Sequence, residues 1–186
     1  MYAGHLDLTH PLIWTVDDAL SPDDCAHYMQ KFHKGQSELA PIVNEHGEPT
    51  LDLDVRNNTR VMWDDAAESN ALVARVGAHV PKRLLDRNLV GGNPRIRVYR
   101  YGPGEKHGAH WDTVVHLDGG VQSQVTLVFY LNDDFEGGET DFPELNQRIV
   151  PKKGRALLFQ HRILHIASEV VRGAKFVLRT DILYGP

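Results

Sequence analysis

The stretch Lys175-Phe176-Val177-Leu178-Arg179-Thr180-Asp181-Ile182-Leu183-Tyr184 carries two opposite characters at once. Successive side chains of a strand point to opposite faces. Phe176, Leu178 and Ile182 then share an apolar face with Tyr184 at its end, while Lys175, Arg179 and Asp181 share the other, broken only by Val177 and Leu183. Gln124–Asn132 repeats the pattern, with Val125, Leu127, Phe129 and Leu131 on one side and Gln124, Thr126 and Tyr130 on the other. Arg95–Tyr101 and Arg155–Phe159 also read as strands, and Gly102-Pro103-Gly104, Gly119-Gly120, Gly137-Gly138, Lys153-Gly154 and Arg172-Gly173 mark turns. Short strands between glycine turns predict an antiparallel sandwich or jelly roll. Two cations and an acid on an interior face are costly to bury unpaired, so this face predicts a cavity that receives an anion.

Upstream of Pro94 the period changes. Ser21-Pro22-Asp23-Asp24 combines a hydroxyl cap, a proline at the first helical position and carboxylates at the positive end of the dipole. Behind it Cys25, Tyr28, Met29 and Phe32 fall on one helical face, which predicts a helix over 22–34. Residues 35–52, with Gly35, Pro41, Asn44, Gly47 and Pro49, read as loop with one short strand at most. Asp64-Asp65 opens a second helix with Leu72, Val73, Val76 and Val80 on its core face, ending or kinking at Pro81. The first third thus reads as helices and connectors, with a boundary at Gly91-Gly92-Asn93-Pro94. The expected fold is α+β, a double-stranded β-helix (jelly roll) with N-terminal helices packed on one sheet. We expect one domain over 1–186, with 1–92 as helical support and substrate entrance and 93–186 as the jelly-roll core.

Composition narrows the function. The chain has 186 residues, 41% apolar and 24% charged, which is ordinary for a folded globular chain. A single Cys makes no internal disulfide, and a net charge of −5 argues against a dedicated nucleic-acid or anionic-membrane binder. The apolar runs are too short for a membrane span and the N-terminus lacks a secretory pattern, so the expectation is a cytoplasmic protein. Eleven histidines are many for this length.

His110-Trp111-Asp112 is the sharpest local feature. In an extended segment its imidazole and carboxylate lie on one face and can reach a common ion. A third ligand is available in His161 or His165. Two His and one carboxylate on one side of a metal form the facial triad of non-haem Fe(II) oxygenases, which leaves positions open. A dicarboxylic acid such as 2-oxoglutarate, chelating iron at one end, needs a cation for the other, and Lys175 and Arg179 are in place for it. Hydroxyls of Thr126 and Tyr130 face the same cavity on this reading.

Four segments, RVYRYGPGEKHGAHWD (97–112), VTLVFYLNDDFEGGETDFP (125–143), PKKGRALLFQHRILH (151–165) and GAKFVLRTDILY (173–184), together resemble the catalytic core of the 2-oxoglutarate- and Fe(II)-dependent dioxygenases, closest to the prolyl 4-hydroxylase-like branch. The resemblance covers about half the chain. It implies that His110, Asp112 and His165 bind iron, that Lys175 pairs with the far carboxylate of 2-oxoglutarate, and that Tyr101, Tyr130 and Thr126 line the cosubstrate pocket. Arg179 is the alternative anchor for that carboxylate, or reaches the iron-bound end or the substrate. The Arg179-x-Asp181 pair departs from the prolyl hydroxylases, which usually carry uncharged residues there. Spacing to Gly173-x-Lys175 favours His165 over His161, and the presence of Asp112 favours hydroxylation over halogenation.

The implied activity is hydroxylation of an unactivated C–H bond with Fe(II), 2-oxoglutarate and O2, releasing succinate and CO2. The substrate class is a small molecule, an amino acid or a peptide, with Arg56, Asn58 and Trp111 as candidate contacts. Arg56–Arg60 reads equally as an exposed turn, and Thr113–Gln122 as a lid. His107 and His116 read as loop histidines, and His5, His10, His27, His33, His46 and His79 as ordinary surface or core residues. The competing reading is a non-catalytic or cupin-like jelly-roll metal-binding protein, which has no need of Lys175.

Overall fold

A computed structural model describes residues 6–43 and 46–186, so His5 and Asn44 lie outside the described residues. Two antiparallel sheets face one another across the chemical interior. Among the described residues, nine strands form the major sheet, whose path runs Ile13–Val16, Ala156–Gln160, Gln122–Tyr130, Lys175–Gly185, Arg95–Tyr101, Thr59–Asp64 and Glu38–Leu39. The hairpin of Arg83–Leu84 and Arg87–Gly92 joins the far half of the Lys175–Gly185 strand, with Ile182 opposite Gly92. The minor sheet is ordered Gln147–Ile149, Thr140–Phe142, His165–Ala167, His107–His110.

Strand parity divides the core in two. Leu127, Phe129, Leu178, Ile182 and Tyr184 turn outward into a cluster with Cys25, Tyr28, Phe32, Leu72 and Val73 of the two helices. Helix α1 (Pro22–Lys34) carries a complete capping box, in which the Ser21 side chain accepts from Asp24 N and the Asp24 side chain accepts from Ser21 N. Helix α2 (Ala66–Arg75) is capped by Asp65. Both helices pack on this one face of the major sheet, α1 against Arg95–Tyr101 and Thr59–Asp64 and α2 against Arg87–Gly92 and Arg95–Tyr101. The close approach of α2 needs Gly92, because a Cβ there would stand 2.2 Å from Ser69 Oγ. Lys31 and the Trp63 indole N–H both donate to Glu68 and pin the helices together. The opposite face of the sheet turns Tyr99, Tyr101, Tyr130, Phe159 and Val177 toward the minor sheet, where Phe142 and Ile163 meet them.

Three expectations change. Helix α2 ends at Arg75 rather than near Pro81, because Val76 leaves helical geometry just before Gly77, a poor helix former, and the chain tightens into a 3₁₀ turn at Gly77–His79. Val76 and Val80 are nonetheless buried. The first third also contributes strands as well as helices, including Ile13–Val16, Thr59–Asp64 and Arg87–Gly92. Thr59–Asp64 is short and runs directly into the Asp64-Asp65 helix signal, which masks the alternation of Thr59, Val61 and Trp63 with Arg60, Met62 and Asp64. Finally, the described residues of 35–52 hold three two-residue strands, not one.

Candidate metal and cosubstrate site

His110 ends one strand of the minor sheet and His165 begins the next, and the two residues are direct cross-strand partners. Asp112 follows two residues after His110 and is 5% exposed. The ligand atoms of His110, Asp112 and His165 all lie within 4.8 Å of one another. Each imidazole Nε2 is 3.7 Å from an Asp112 carboxylate oxygen. The opposite ring nitrogens are fixed by backbone: His110 Nδ1 is 2.8 Å from the Gly108 carbonyl and His165 Nδ1 is 2.9 Å from the Ile163 carbonyl. A carbonyl only accepts, so both Nδ1 atoms carry the proton and both Nε2 lone pairs face the shared point. Burial pushes the His110 imidazole down to about 3 and lowers that of His165 as well, so both are neutral and available as ligands near pH 7. Burial would raise the Asp112 carboxyl, but the Arg179 guanidinium at 2.8 Å holds it well below the usual range. Two neutral imidazoles and a carboxylate fit a borderline divalent ion such as Fe(II).

His161 stands behind this group in a directed chain. The Thr126 hydroxyl donates to Asp112 Oδ2 at 2.6 Å and lies 3.1 Å from His161 Nδ1. Its one proton is spent on the carboxylate, so Thr126 accepts from His161 Nδ1–H. Burial keeps His161 neutral, and its Nε2 therefore accepts from Ser123 Oγ at 2.8 Å. Ser123 in turn accepts from Val115 N at 2.8 Å. Sequence parity placed Thr126 toward the cavity; the structure aims its hydroxyl at Asp112.

The inner recess runs from the three ligands to Lys175, lined by Tyr101, Tyr130, Leu157 and Val177. Lys175 is 2% exposed, and its Nζ donates to the Gly138 carbonyl at 2.6 Å. The Nζ lies 5.2 Å from the Tyr101 ring centre and 5.7 Å from that of Tyr130. Burial lowers its ammonium to about 8, and among the described residues no carboxylate pairs with it, Glu139 acting only at longer range. The Tyr130 hydroxyl is 2.8 Å from Thr140 Oγ1. Gly138, at φ 70°, permits the packing: a Cβ there would press to 3.1 Å of Lys175 Cδ. A buried ammonium beside two tyrosine rings, at the far end of a narrow apolar recess from a metal triad, fits a dicarboxylate chelator.

Arg179 is committed differently. It spans Asp112 and Asp181, with its Nη2 3.2 Å from Asp181 Oδ1. Asp181 also accepts from Asn93 Nδ2 at 3.0 Å. An outer chamber of about 410 Å³ adjoins the recess over His110, Asp112 and Arg179, and Trp111, 54% exposed, lines it. Arg56 borders both spaces, donating to Asn58 and to the Pro41 carbonyl with its guanidinium over Tyr99. Asn58 is fully buried behind Arg56 and borders neither space. The Arg56–Arg60 segment is thus no exposed turn. His107 is a buried strand residue stacked on His110, with ring centres 3.5 Å apart, whereas His116 is exposed. Thr113 and Val115 of the expected lid line the chamber. Arg97 and Asp181 also line it; parity marks both, but an interior role for Arg97 has no local signal beyond sharing the face of Tyr99 and Tyr101.

Residues 96–180 match the 2OG-Fe(II) oxygenase superfamily. The chain is 26% identical over 155 residues to a putative prolyl 4-hydroxylase of Acanthamoeba polyphaga mimivirus, covering 78% of this chain and 59% of that protein. It is 25% identical over 191 residues to prolyl 4-hydroxylase 1 of Arabidopsis thaliana, covering 89% and 66%. The chain therefore spans roughly six-tenths of the length of these relatives. Its fold is similar to that of a viral collagen prolyl hydroxylase from Paramecium Bursaria Chlorella virus-1, with TM-score 0.63, 22% identity and coverage of 95% and 97%. It is also similar to that of a Pseudomonas putida prolyl-4-hydroxylase, with TM-score 0.65, 16% identity and coverage of 95% of each chain. Among the described residues no helix is long and apolar enough to cross a membrane.

Proposed function

We propose that the chain is a 2OG-Fe(II) oxygenase of the prolyl 4-hydroxylase-like branch, and that it is a hydroxylase acting on an amino acid, a peptidyl residue or a small metabolite; the family match over residues 96–180 and the similarity to prolyl 4-hydroxylases support this reading. His110, Asp112 and His165 would hold Fe(II), and Lys175 the far carboxylate of 2-oxoglutarate. The bound iron, with 2-oxoglutarate and O2, supplies the oxidising power to place oxygen in a C–H bond while 2-oxoglutarate leaves as succinate and CO2.

The chain's own residues bind, orient and exclude water. Backbone carbonyls of Gly108 and Ile163 hold both imidazoles in the tautomer that offers Nε2. The Ser123–His161–Thr126 chain holds the Asp112 carboxylate in one rotamer. Tyr101, Leu157 and Val177 keep the recess dry, which strengthens the pairing of Lys175 with a carboxylate. Arg179 is already engaged by two aspartates, which favours Lys175 as the cosubstrate anchor.

One observation carries this reading: a buried ammonium that no carboxylate pairs with among the described residues shares a recess with three converging metal ligands. A cupin-like or purely structural metal site has no use for that ammonium. Anaerobic addition of Fe(II) and 2-oxoglutarate should produce a weak visible metal-to-ligand charge-transfer band. A folded, iron-loaded protein that gives no band refutes the reading.

A further inference from the structure

Charge in the interior is unbalanced. Among the described residues, and setting aside Arg60, which Glu38 holds, four cations, Arg56, Arg97, Arg179 and Lys175, are buried or nearly so, and they face two buried carboxylates, Asp112 and Asp181. Fe(II) and a 2-oxoglutarate dianion cancel one another, so filling the proposed site leaves the excess positive charge in place. The excess is felt locally. Burial alone would raise the Tyr99 phenol, yet Arg56, Arg97 and Arg179 together bring it down to about 8.

The four cations are not equivalent. Arg179 is shared between Asp112 and Asp181. Lys175 points into the inner recess. Arg56 spends donors on Asn58 and Pro41. Arg97 is the least engaged: its Nη1, like Arg179 Nε, is buried without a hydrogen-bond partner among the described residues, but where Arg179 has Asp112 at 2.8 Å, Arg97 has only Asp181 Oδ2 at 3.7 Å, too far for a hydrogen bond. A buried, unsatisfied guanidinium donor is costly unless a ligand completes it. Arg97 lines the outer chamber, whose about 410 Å³ suits a small molecule and whose floor includes His110 and Asp112. The other walls mix apolar surface from Ile42, Met62 and Trp111 with Arg60, which is already held by Glu38 at 2.7 Å.

We propose that the substrate of this site is a small carboxylate with an apolar body, and that Arg97 receives its carboxylate in the outer chamber. The inference rests on the hydroxylase reading and narrows it: a free carboxyl group on a low-molecular-weight compound, in preference to an internal residue of a long peptide. The carboxylate completes the Arg97 donors and places the apolar body over the metal ligands.

The test uses protein carrying Zn(II) in place of iron and saturating 2-oxoglutarate, so that nothing turns over. Ligand-observed NMR measures binding of N-acetyl-valine, N-acetyl-leucine and N-acetyl-proline, each against its C-terminal amide, with inorganic phosphate as a competing oxyanion. At least one acid should bind about 10- to 100-fold more tightly than its amide. Arg97→Gln should bring that acid to the level of the amide while leaving amide binding unchanged, and Arg97→Lys should restore part of the preference. A purely structural Arg97 would weaken acid and amide alike. Equal binding of acids and amides, no binding of either, a preference that survives in folded Arg97→Gln, or stronger competition by phosphate than by any acid overturns the proposal. The charge-transfer band is recorded on the same wild-type preparation with Fe(II). A band without acid preference overturns this inference alone, and a missing band overturns the hydroxylase reading beneath it.

Discussion

Lys175 and Phe176 are neighbours on one strand and both are buried, yet they live in different media. Phe176 packs edge-on against Phe32 of α1, with ring centres 5.5 Å apart, in a face made of aliphatic and aromatic carbon. Lys175 looks the other way, toward tyrosines, a backbone carbonyl and, farther along, two arginines and two aspartates. The helix-covered face gains stability from area removed from water. The face between the sheets forgoes some of that gain to keep charge desolvated and ready for a ligand. One sheet therefore divides its labour by residue parity, and substitutions on the two sides should fail in different ways.

The largest separation should come from His165→Ala, which removes a ligand without touching the helix face. Turnover should fall by at least about ten-thousandfold, with the charge-transfer band lost while the protein stays folded. Residual turnover near wild type would mean that His161 or another group serves instead. Phe129→Ala on the opposite face should do the reverse. It should cost about 3–5 kcal/mol in urea unfolding, while the fraction still folded keeps its 2-oxoglutarate affinity. Lys175→Met sharpens the contrast from inside the recess. It should weaken 2-oxoglutarate binding about 100-fold with stability unchanged or higher, because it replaces a desolvated charge by an apolar side chain of similar length. A smaller loss than that of Arg179→Met would move the anchor to Arg179.

The same ammonium also sets a dependence on pH. The folded Lys175 ammonium is lowered to about 8 from an ordinary 10.5, so the ligand-free protein is destabilised by this group below pH 8. Between pH 8 and 10.5 the unfolded chain binds the extra proton, so the ligand-free protein should gain stability from Lys175 across that window. Cosubstrate affinity should move oppositely, falling about tenfold for each pH unit above 8, since the dianion selects the charged ammonium. Isothermal titration across that range checks both the direction and the slope, and Lys175→Met should flatten it.

Much of this division is legible in sequence because strand parity is strict. The alternation within 124–132 and 175–184 places Thr126, Tyr130, Lys175, Arg179 and Asp181 on the charged face without reference to any partner. The H-x-D spacing likewise predicts that His110 and Asp112 share a side. What parity does not carry is pairing at a distance. Thr59–Asp64 is a strand because Arg95–Tyr101 offers it an edge, not because its own six residues insist on it. His107 is buried because His110 stacks on it, and Asn58 sits behind Arg56 because the side chains on either side of Asn57 turn inward together. The loneliness of Arg97 is likewise a fact about its neighbours, invisible until they are placed.

The sharing of one strand by both faces has a consequence for insertions and deletions. Sliding the Lys175–Gly185 strand by one position against Gln122–Tyr130 would carry Lys175 and Arg179 into the grease under α1 and Phe176 into the recess. Loss of a single codon within it should therefore yield a chain that neither assembles nor binds cosubstrate, with no half-working form between. Capture of 2-oxoglutarate is accordingly a proofreading signal for strand alignment.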